Sequence, residues 1–542
     1  MSLEDYAKKR FLIVDELENF RFSTKNTLMS LGCKLVDTAS NAQGVVSGFQ
    51  NVNYDVILCN YELGKGKNGQ ELLEELRLKR LLKFTGLFFI ISAEVERGKV
   101  MGTIENEPDG YLVKPVKPSD LRDRLVKALK MKDAMFDIDN AIDEGDYHSA
   151  IAYCDKKIAD KDRYAVRCFK TKAWLLQKIG DWAQARSVYE SVLKSNDYTW
   201  AQYGLARIYI KQKRYDEAEQ LLNDIIAKDP DQVEAMDLLT EILRKKGDAE
   251  GAQQMVEQAI NLSPNSLHRQ LAYAELCQTN NKPEQAVEAF RKVVKLGEQS
   301  VYAKPQHYFE FSDFLAKEGA KTDDPAFSAK SIEAFELLNK CTKRFSNIDE
   351  IKEQSQLVAA NVHAILGDEE KARTILNEIL GSDDNDLPEL DPETFRVAAQ
   401  ALETLGEADR AEKLLEHAAD LATTNTDLMS DIYDQLNQSI GTEARQQAAK
   451  INKLGIKLYN DGKIEEAAKE LKRAIPLTPR HISLNLNLVQ VLLKLHRRNG
   501  DESLLKEIHS YLHKVRHIPS HHKEYPRYEY LKNQLAEREQ AA

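Results

Sequence analysis

Proline is scarce in this chain, at 14 of 542 residues, which leaves little room for long extended linkers. Long apolar runs are missing as well. No stretch approaches the 18 or so apolar residues that a membrane-spanning helix needs, and the N-terminal MSLEDYAKKR has no apolar secretory core. The expectation is a soluble, cytoplasmic protein with no membrane contact. The six cysteines form no CxxC pair and are scattered from Cys33 to Cys341, so they read as buried reduced thiols rather than a disulfide framework or zinc site. An excess of positive charge is also lacking. The net charge of −11 opposes the phosphate backbone, and no basic stripe with interleaved aromatics offsets it, so nucleic acid is not an expected partner. A chain of this length exceeds what one hydrophobic core supports, so several units are expected.

Two patterns fill the chain. Over residues 10–130, short apolar runs (Phe11–Val14, Lys34–Val36, Val56–Cys59, Leu87–Ile91, Tyr111–Val113) alternate with helical stretches near 20–31, 41–50, 70–79, 95–106 and 118–130. Strands buried on both faces read as continuous apolar runs, as LFFII does. Five strands alternating with five helices predict a five-stranded parallel sheet covered on both faces, an α/β flavodoxin-like domain.

Beyond residue 130 the strand signals stop and a helical hairpin recurs. Gly145-Asp146-Tyr147 leads to Ala150 and Cys154, and Gly180-Asp181-Trp182 to Ala185 and Tyr189. Lys213-Arg214-Tyr215 leads to Ala218 and Leu222, Gly247-Asp248 to Ala252 and Val256, and Asn281 to Ala286 and Phe290. Turns at 145, 180, 213, 247 and 281 are spaced by 35, 33, 34 and 34 residues. Pro230 and Pro264 fall where a second helix must stop. Gly367 with Ala372, Gly406 with Ala411, and Gly462 with Ala467, Leu471, Ala474 and Pro479 mark later hairpins, the last with Gly455 and Tyr459 in its first helix. Small residues let paired helices approach closely, and each hairpin buries its apolar face only by stacking on its neighbours. The period and residue types resemble the tetratricopeptide repeat. The division expected is 1–128 for the α/β domain, 129–300 for regular repeats, and 301–542 for irregular repeats and capping helices of an all-α superhelical solenoid. The stretch LRDRLVKALKMKDAMFDIDNAI has no glycine or proline, so the last helix of the first domain is predicted to run on into, or abut, the first hairpin.

The first domain carries a constellation at its strand ends. Asp15 and Glu16 follow FLIV, Asn60 follows VILC, Ser92 follows LFFII, and Tyr111 precedes Lys114-Pro115. Each element alone reads as an ordinary loop residue; together they resemble the receiver domain of two-component response regulators over about the first 125 residues. That resemblance implies that Asp15, Glu16, Asn60 and the backbone carbonyl of Glu62 surround a Mg²⁺ ion. It also implies that position 60 is the phosphoacceptor site, that Ser92 and Lys114 contact the phosphoryl group, and that Tyr111 reports its presence. The lysine–proline bond is usually cis in this family. Mg²⁺ takes hard oxygen ligands, and strand ends converge on the crevice where such sheets bind ligands.

Asn60 departs from the pattern, since a receiver carries aspartate there. A neutral amide is a poor nucleophile and forms no stable acyl phosphate. One lost carboxylate should weaken Mg²⁺ binding by about a kcal/mol or more. Two readings stand: a natural pseudo-receiver that signals without phosphate, or a replacement of aspartate that traps the unphosphorylated state. The intact set of Asp15, Ser92, Tyr111 and Lys114 favours the second. The stretch CNYELGKGKNGQELLEEL is similar to receivers with a CDYxLGxGxxGxxxLxxL loop, often joined to tetratricopeptide arrays in bacteria. The whole chain resembles the VieB-type auxiliary response regulators.

In the array, first helices normally line a concave groove, and the register places Trp174, Tyr203, Arg207, Glu241 and Arg244 there. Trp, Tyr and Arg are frequent interface anchors, although inter-repeat packing accounts equally well for Tyr203. His509, His513 and His517 recur every four residues near His521 and His522. A solvated capping face fits them better than a metal site. The resemblance implies a non-catalytic signalling adaptor. Its receiver would dock on a sensor histidine kinase or its phosphotransfer domain, its array would bind a further protein, and a homodimer is open. A phosphate sink competing for a shared kinase and a phosphate-independent scaffold are the alternatives.

Overall fold

A computed structural model describes residues 7–49, 52–64, 66–93, 108–321, 328–381 and 387–422, and from 428 to 539 all but 430–431, 433–434, 437–441, 478–480, 517 and 519–523. Contacts divide the chain into two compact units, Met1–His307 and Tyr308–Ala542.

The first unit begins with five parallel strands in the order β2-β1-β3-β4-β5. They are β1 (Arg10–Val14), β2 (Leu35–Ala39), β3 (Val56–Asn60), β4 (Leu87–Ser92) and β5 (Gly110–Val113). The central strands are buried on both faces, whereas the edge strands β2 and β5 each bury a single residue, Val36 and Leu112. Phe11, Ile13, Leu58 and Phe89 pack beneath one face, and Leu12, Val14, Ile57 and Phe88 beneath the other. Helices α1 (Glu18–Ser30), α2 (Ala42–Gly48) and α3 (Gly69–Leu78) follow β1, β2 and β3. Asn68 and Glu71 form a reciprocal capping box at the start of α3, satisfying two otherwise orphaned amides. The helix expected near 95–106 lies outside the described residues.

Helix α4 (Pro118–Asp143) has 26 residues and starts with proline at its first turn, where a missing N–H is harmless. It is at once the last helix of the α/β domain and the first helix of the array, so the two are joined without a break. Hairpins follow: α5 (Tyr147–Ala159), α6 (Ala165–Lys178), α7 (Trp182–Leu193), α8 (Thr199–Lys211), α9 (Tyr215–Lys228), α10 (Val233–Lys246), α11 (Ala249–Leu262), α12 (Leu267–Thr279) and α13 (Pro283–Gly297). The turn residues Gly145, Gly180, Lys213, Gly247 and Asn281 all have positive φ, between 55° and 83°. Glycine adopts this conformation without a steric penalty. Gly204 serves a different need: a Cβ there would lie 2.1 Å from the ring of Tyr189.

A buried charge cluster locks α4 against the segment before β4. The Lys132 ammonium donates to the carbonyl of Phe84, and lies 3.2 Å from Asp139 and 3.6 Å from Asp109. Asp143 accepts from the backbone amides of Phe84 (2.6 Å) and Thr85 (3.1 Å) and from the Thr85 hydroxyl (3.0 Å). Arg77 donates to the carbonyls of Leu82 and Lys83 and stands 5.1 Å from the Phe84 ring. Phe84 in turn packs on Trp174 of α6, with centroids 5.6 Å apart.

The second unit continues as helical pairs, among them 351–365 with 369–380, 392–404 with 408–421, 442–460 with 464–474, and 482–499 with 503–514. Gly367, Gly406 and Gly462 again have positive φ. A Cβ on Gly455 would lie 2.6 Å from Leu471, so that glycine permits close helix approach. Pro479 lies outside the described residues. No helix among the described residues is long and apolar enough to cross a membrane.

Candidate functional site

The site lies at the C-terminal ends of β1, β3, β4 and β5. Parallel pairing sets the register, with Val14 beside Cys59, Asn60 beside Ile91 and Ser92 beside Val113. Side chains just past these strands therefore converge. Asp15 is fully buried and is held by two donors: the Leu17 amide at 2.8 Å and the Lys114 ammonium at 2.7 Å. Lys114 also stands 4.0 Å from the centre of the Phe20 ring, and its backbone amide bonds to the carbonyl of Ser92 at 2.8 Å. The Lys114–Pro115 peptide bond is cis. Arg21 clamps the loop from below, donating to the carbonyls of Asp15 and Glu16 at 2.7 and 2.9 Å. The sequence reading did not single out Phe20 or Arg21. Their only signal is position on the first turn of the helix after the acidic pair.

Asn60 is 8% exposed, and its side-chain Nδ2 donates to the backbone carbonyl of Glu62 at 2.6 Å. Glu16, in the loop after β1, faces the loop after β3, its Oε2 2.5 Å from where a Cβ on Gly64 would sit. Gly64 therefore keeps that carboxylate's place open. Tyr111 is 38% exposed, and its carbonyl accepts from Arg124 at 3.0 Å. Burial, with the nearby Asp15 carboxylate, pushes the Cys59 thiol well above its usual range, so it is inert as a nucleophile.

Asp15, Glu16 and the Glu62 carbonyl are the oxygen donors that Mg²⁺ favours. The set is short of a full site. Asp15 is already paired with Lys114, the Glu62 carbonyl is taken by Asn60, and no cluster of three or more His, Cys, Asp or Glu suited to a metal occurs among the described residues.

Comparison with known proteins bears on this arrangement. Residues 11–126 match the family model of the response regulator receiver domain. The first domain is a receiver. Residues 176–242 match the tetratricopeptide repeat model, and neither match reaches half of the chain. The receiver is 26% identical over 118 residues to chemotaxis protein CheY-3 of Vibrio cholerae, covering 22% of this chain and 89% of that protein. It is 25% identical over 118 residues to CheY of Pseudomonas aeruginosa, covering 22% and 94%. Among solved structures, a CheY-like receiver domain protein from Methanospirillum hungatei is 26% identical, covers 23% of this chain and 97% of that one, and has a TM-score of 0.19. MamA from Desulfovibrio magneticus is 21% identical over 29% of this chain and 90% of its own, with a TM-score of 0.27. The chain is thus a response regulator receiver followed by tetratricopeptide repeats, the composition of a two-component signalling protein with a protein-interaction region.

The five residues placed in the array groove part company. Trp174 packs against Phe84 of the receiver and belongs to the joint. Tyr203 donates its hydroxyl to Gln232 at 2.5 Å and packs among Ala206, Leu238 and their neighbours, so it serves inter-repeat packing. Arg244 pairs with Glu275 of the next first helix at 2.7 Å. Arg207 and Glu241 alone line a common cavity. His509 and His513 lie on the helix Ser503–Lys514, while His517, His521 and His522 lie outside the described residues.

Proposed function

We propose that this protein is an auxiliary response regulator of the VieB type: a non-catalytic adaptor whose receiver docks on a sensor histidine kinase or its phosphotransfer domain and whose array holds a second protein. The observation that carries this reading is the Asn60–Glu62 hydrogen bond inside a pocket that keeps Asp15, Ser92, Tyr111 and Lys114. An aspartate at position 60 would face the Glu62 carbonyl with a like partial charge, and a bound cation would relieve that repulsion. Asparagine supplies an N–H instead, so its amide substitutes for the ion. It thereby weakens Mg²⁺ binding and holds the unphosphorylated arrangement of Ser92, Tyr111 and Lys114.

Kinase docking draws support from α1. Phe22 and Met29, two turns apart on one face of α1, and Leu17 just before it are more than half exposed, and exposed apolar side chains grouped together mark interaction surfaces. Transmission to the array has a route in α4, which no flexible segment interrupts.

The same hydrogen bond also favours a second reading, a phosphate-independent pseudo-receiver scaffold. The deciding experiment is exposure of Asn60→Asp to a small phosphoryl donor with Mg²⁺. Incorporation of phosphate at position 60 supports the switch, and an unreactive variant supports the scaffold. The phosphate-sink alternative fails if the array alone inhibits the kinase as strongly as the whole chain.

A further inference from the structure

The array distributes its charge unevenly. Helix α6 carries Arg167, Lys170, Lys172 and Lys178 and no acid, and α8 carries Arg207 and Lys211 and no acid. Both are first helices of their hairpins. The second helix that follows α8 differs: α9 carries Asp216, Glu217, Glu219 and Asp224 against the single Lys228. Cations thus collect on α6 and α8, in a chain whose net charge is −11.

A cavity of about 370 Å³ opens between α8 and α10 in this cationic stretch. Its rim is Arg207, Lys211, Lys213 and Lys245 against one acid, Glu241, and its apolar lining includes Ile210 and Leu238. Neighbouring cations are all engaged inside the fold: Arg244 with Glu275, Lys246 with Asp216 and Glu219, and Arg214 with Glu217. Lys211 is steadied over the Trp182 ring at 4.4 Å. Arg207 and Lys245 form no ion pair among the described residues, although acids are plentiful on the adjoining second helix. Two exposed cations without an ion pair of their own, flanking an apolar floor, are a complementary surface for carboxylates on either side of an apolar side chain.

We propose that this cavity captures an acidic segment of the array's protein partner, with one aliphatic side chain seated on Ile210 and Leu238 and carboxylates against Arg207 and Lys245. The proposal rests on the reading that the array binds a protein, and it names the chemistry that protein must present. The volume suits one side chain and its flanks. Its apolar lining disfavours a bare phosphate or a uniform polyanion, neither of which places an aliphatic group on Ile210 and Leu238.

The test uses the full chain and three fluorescent 12-residue peptides with a central leucine flanked by glutamates, lysines or serines. Fluorescence anisotropy should show the glutamate peptide bound most tightly, with affinity falling at least tenfold in Arg207→Ala/Lys245→Ala and falling again at high salt, where surface charges are screened. The charge-reversed Arg207→Glu/Lys245→Glu should transfer preference to the lysine peptide. Both residues are exposed, and an unchanged thermal transition checks that the variants fold. Glutamate-peptide binding that ignores these substitutions overturns the site. Tighter binding of the serine or lysine peptide by the unaltered chain overturns the acidic assignment but leaves the array a binding surface. Binding of none of the three overturns both.

Discussion

The two ends of strand β4 carry two charge clusters built on opposite plans. Beyond its C-terminal end, Ser92 faces a pocket where Asp15 and Lys114 form one ion pair and the Glu62 carbonyl is held by a neutral amide. Before its N-terminal end, Phe84 and Thr85 are gripped by α4 through Lys132 and Asp143, with Asp139 holding Lys132. Side chains of Arg77, Lys132, Asp109 and Asp139 are all at most 9% exposed there. In the joint, opposite charges and backbone groups answer one another. In the pocket, each group rests on one or two contacts. The difference separates a sparsely bonded pocket from a densely bonded joint.

The sharpest way to break this contrast is to remove Lys132. Lys132→Ala leaves Asp139 buried without its direct cation and Asp109 with Arg77 alone at 3.9 Å, and should lower the stability of the first unit by about 3–5 kcal/mol in denaturant titration. Lys114→Ala also strips a buried carboxylate of its cation, but Lys114 is itself one-fifth exposed and Asp15 keeps its Leu17 amide, so the cost should be smaller, about 2–3 kcal/mol. Equal losses would abolish the distinction.

A buried carboxylate that meets amides rather than a direct cation gives the next largest effect. Asp313 in the second unit accepts from Asn361 at 2.9 Å and Gln400 at 2.7 Å. Burial pushes its pKa up to about 6, with these hydrogen bonds and the charges of Lys317 and Arg396 opposing. A carboxyl raised on folding binds its proton more tightly in the native state. Its contribution is therefore full below the unfolded value and is lost as pH rises through the folded one. Stability of the second unit should fall by roughly 3 kcal/mol between about pH 4 and pH 6 from this group, and Asp313→Asn should remove that slope. Parallel profiles for the two proteins would sink the assignment.

Asn60→Asp should have a smaller effect, of about 1–2 kcal/mol without Mg²⁺, from loss of the bond to Glu62. Mg²⁺ that binds only the native state should restore it. Thermal melts with and without MgCl₂ read this directly: a large ion-dependent shift is expected for the variant and little for the chain that keeps Asn60. The smallest stability effect belongs to Phe22→Ala, within about 0.5 kcal/mol at an exposed site, while binding to a kinase phosphotransfer domain should weaken measurably. An unaltered affinity would move the docking surface away from α1.

Much of the architecture is legible in the residues because it follows local rules. Doubly buried strands betray themselves as VILC and LFFII. The turn register 145, 180, 213, 247 and 281 coincides with the positive-φ positions, since a left-handed turn and a close helix approach both select particular residues locally. The pocket's members are legible as residues at strand ends. Their mutual contacts are not: the Asn60 amide turns onto Glu62, and Arg21 and Phe20 support the loop, through side-chain orientation that spacing does not encode. The joint is legible only as a helix without a stop. That Lys132 meets Asp109 and that Trp174 meets Phe84 depend on packing between segments far apart in the chain, which is why a tryptophan assigned to a groove belongs to the receiver's joint instead.

The unbroken helix α4 has a consequence for how this protein can vary. Each residue added to an α-helix turns everything after it by about 100° and advances it by about 1.5 Å. A single insertion between Lys132 and Asp143 would swing Asp143 off the amides it caps and carry the first hairpin round with it. Length along this stretch is therefore quantised, as the teeth of a gear are. Insertions near a multiple of the helical repeat keep the array in phase with the receiver, and any other length puts the two out of step.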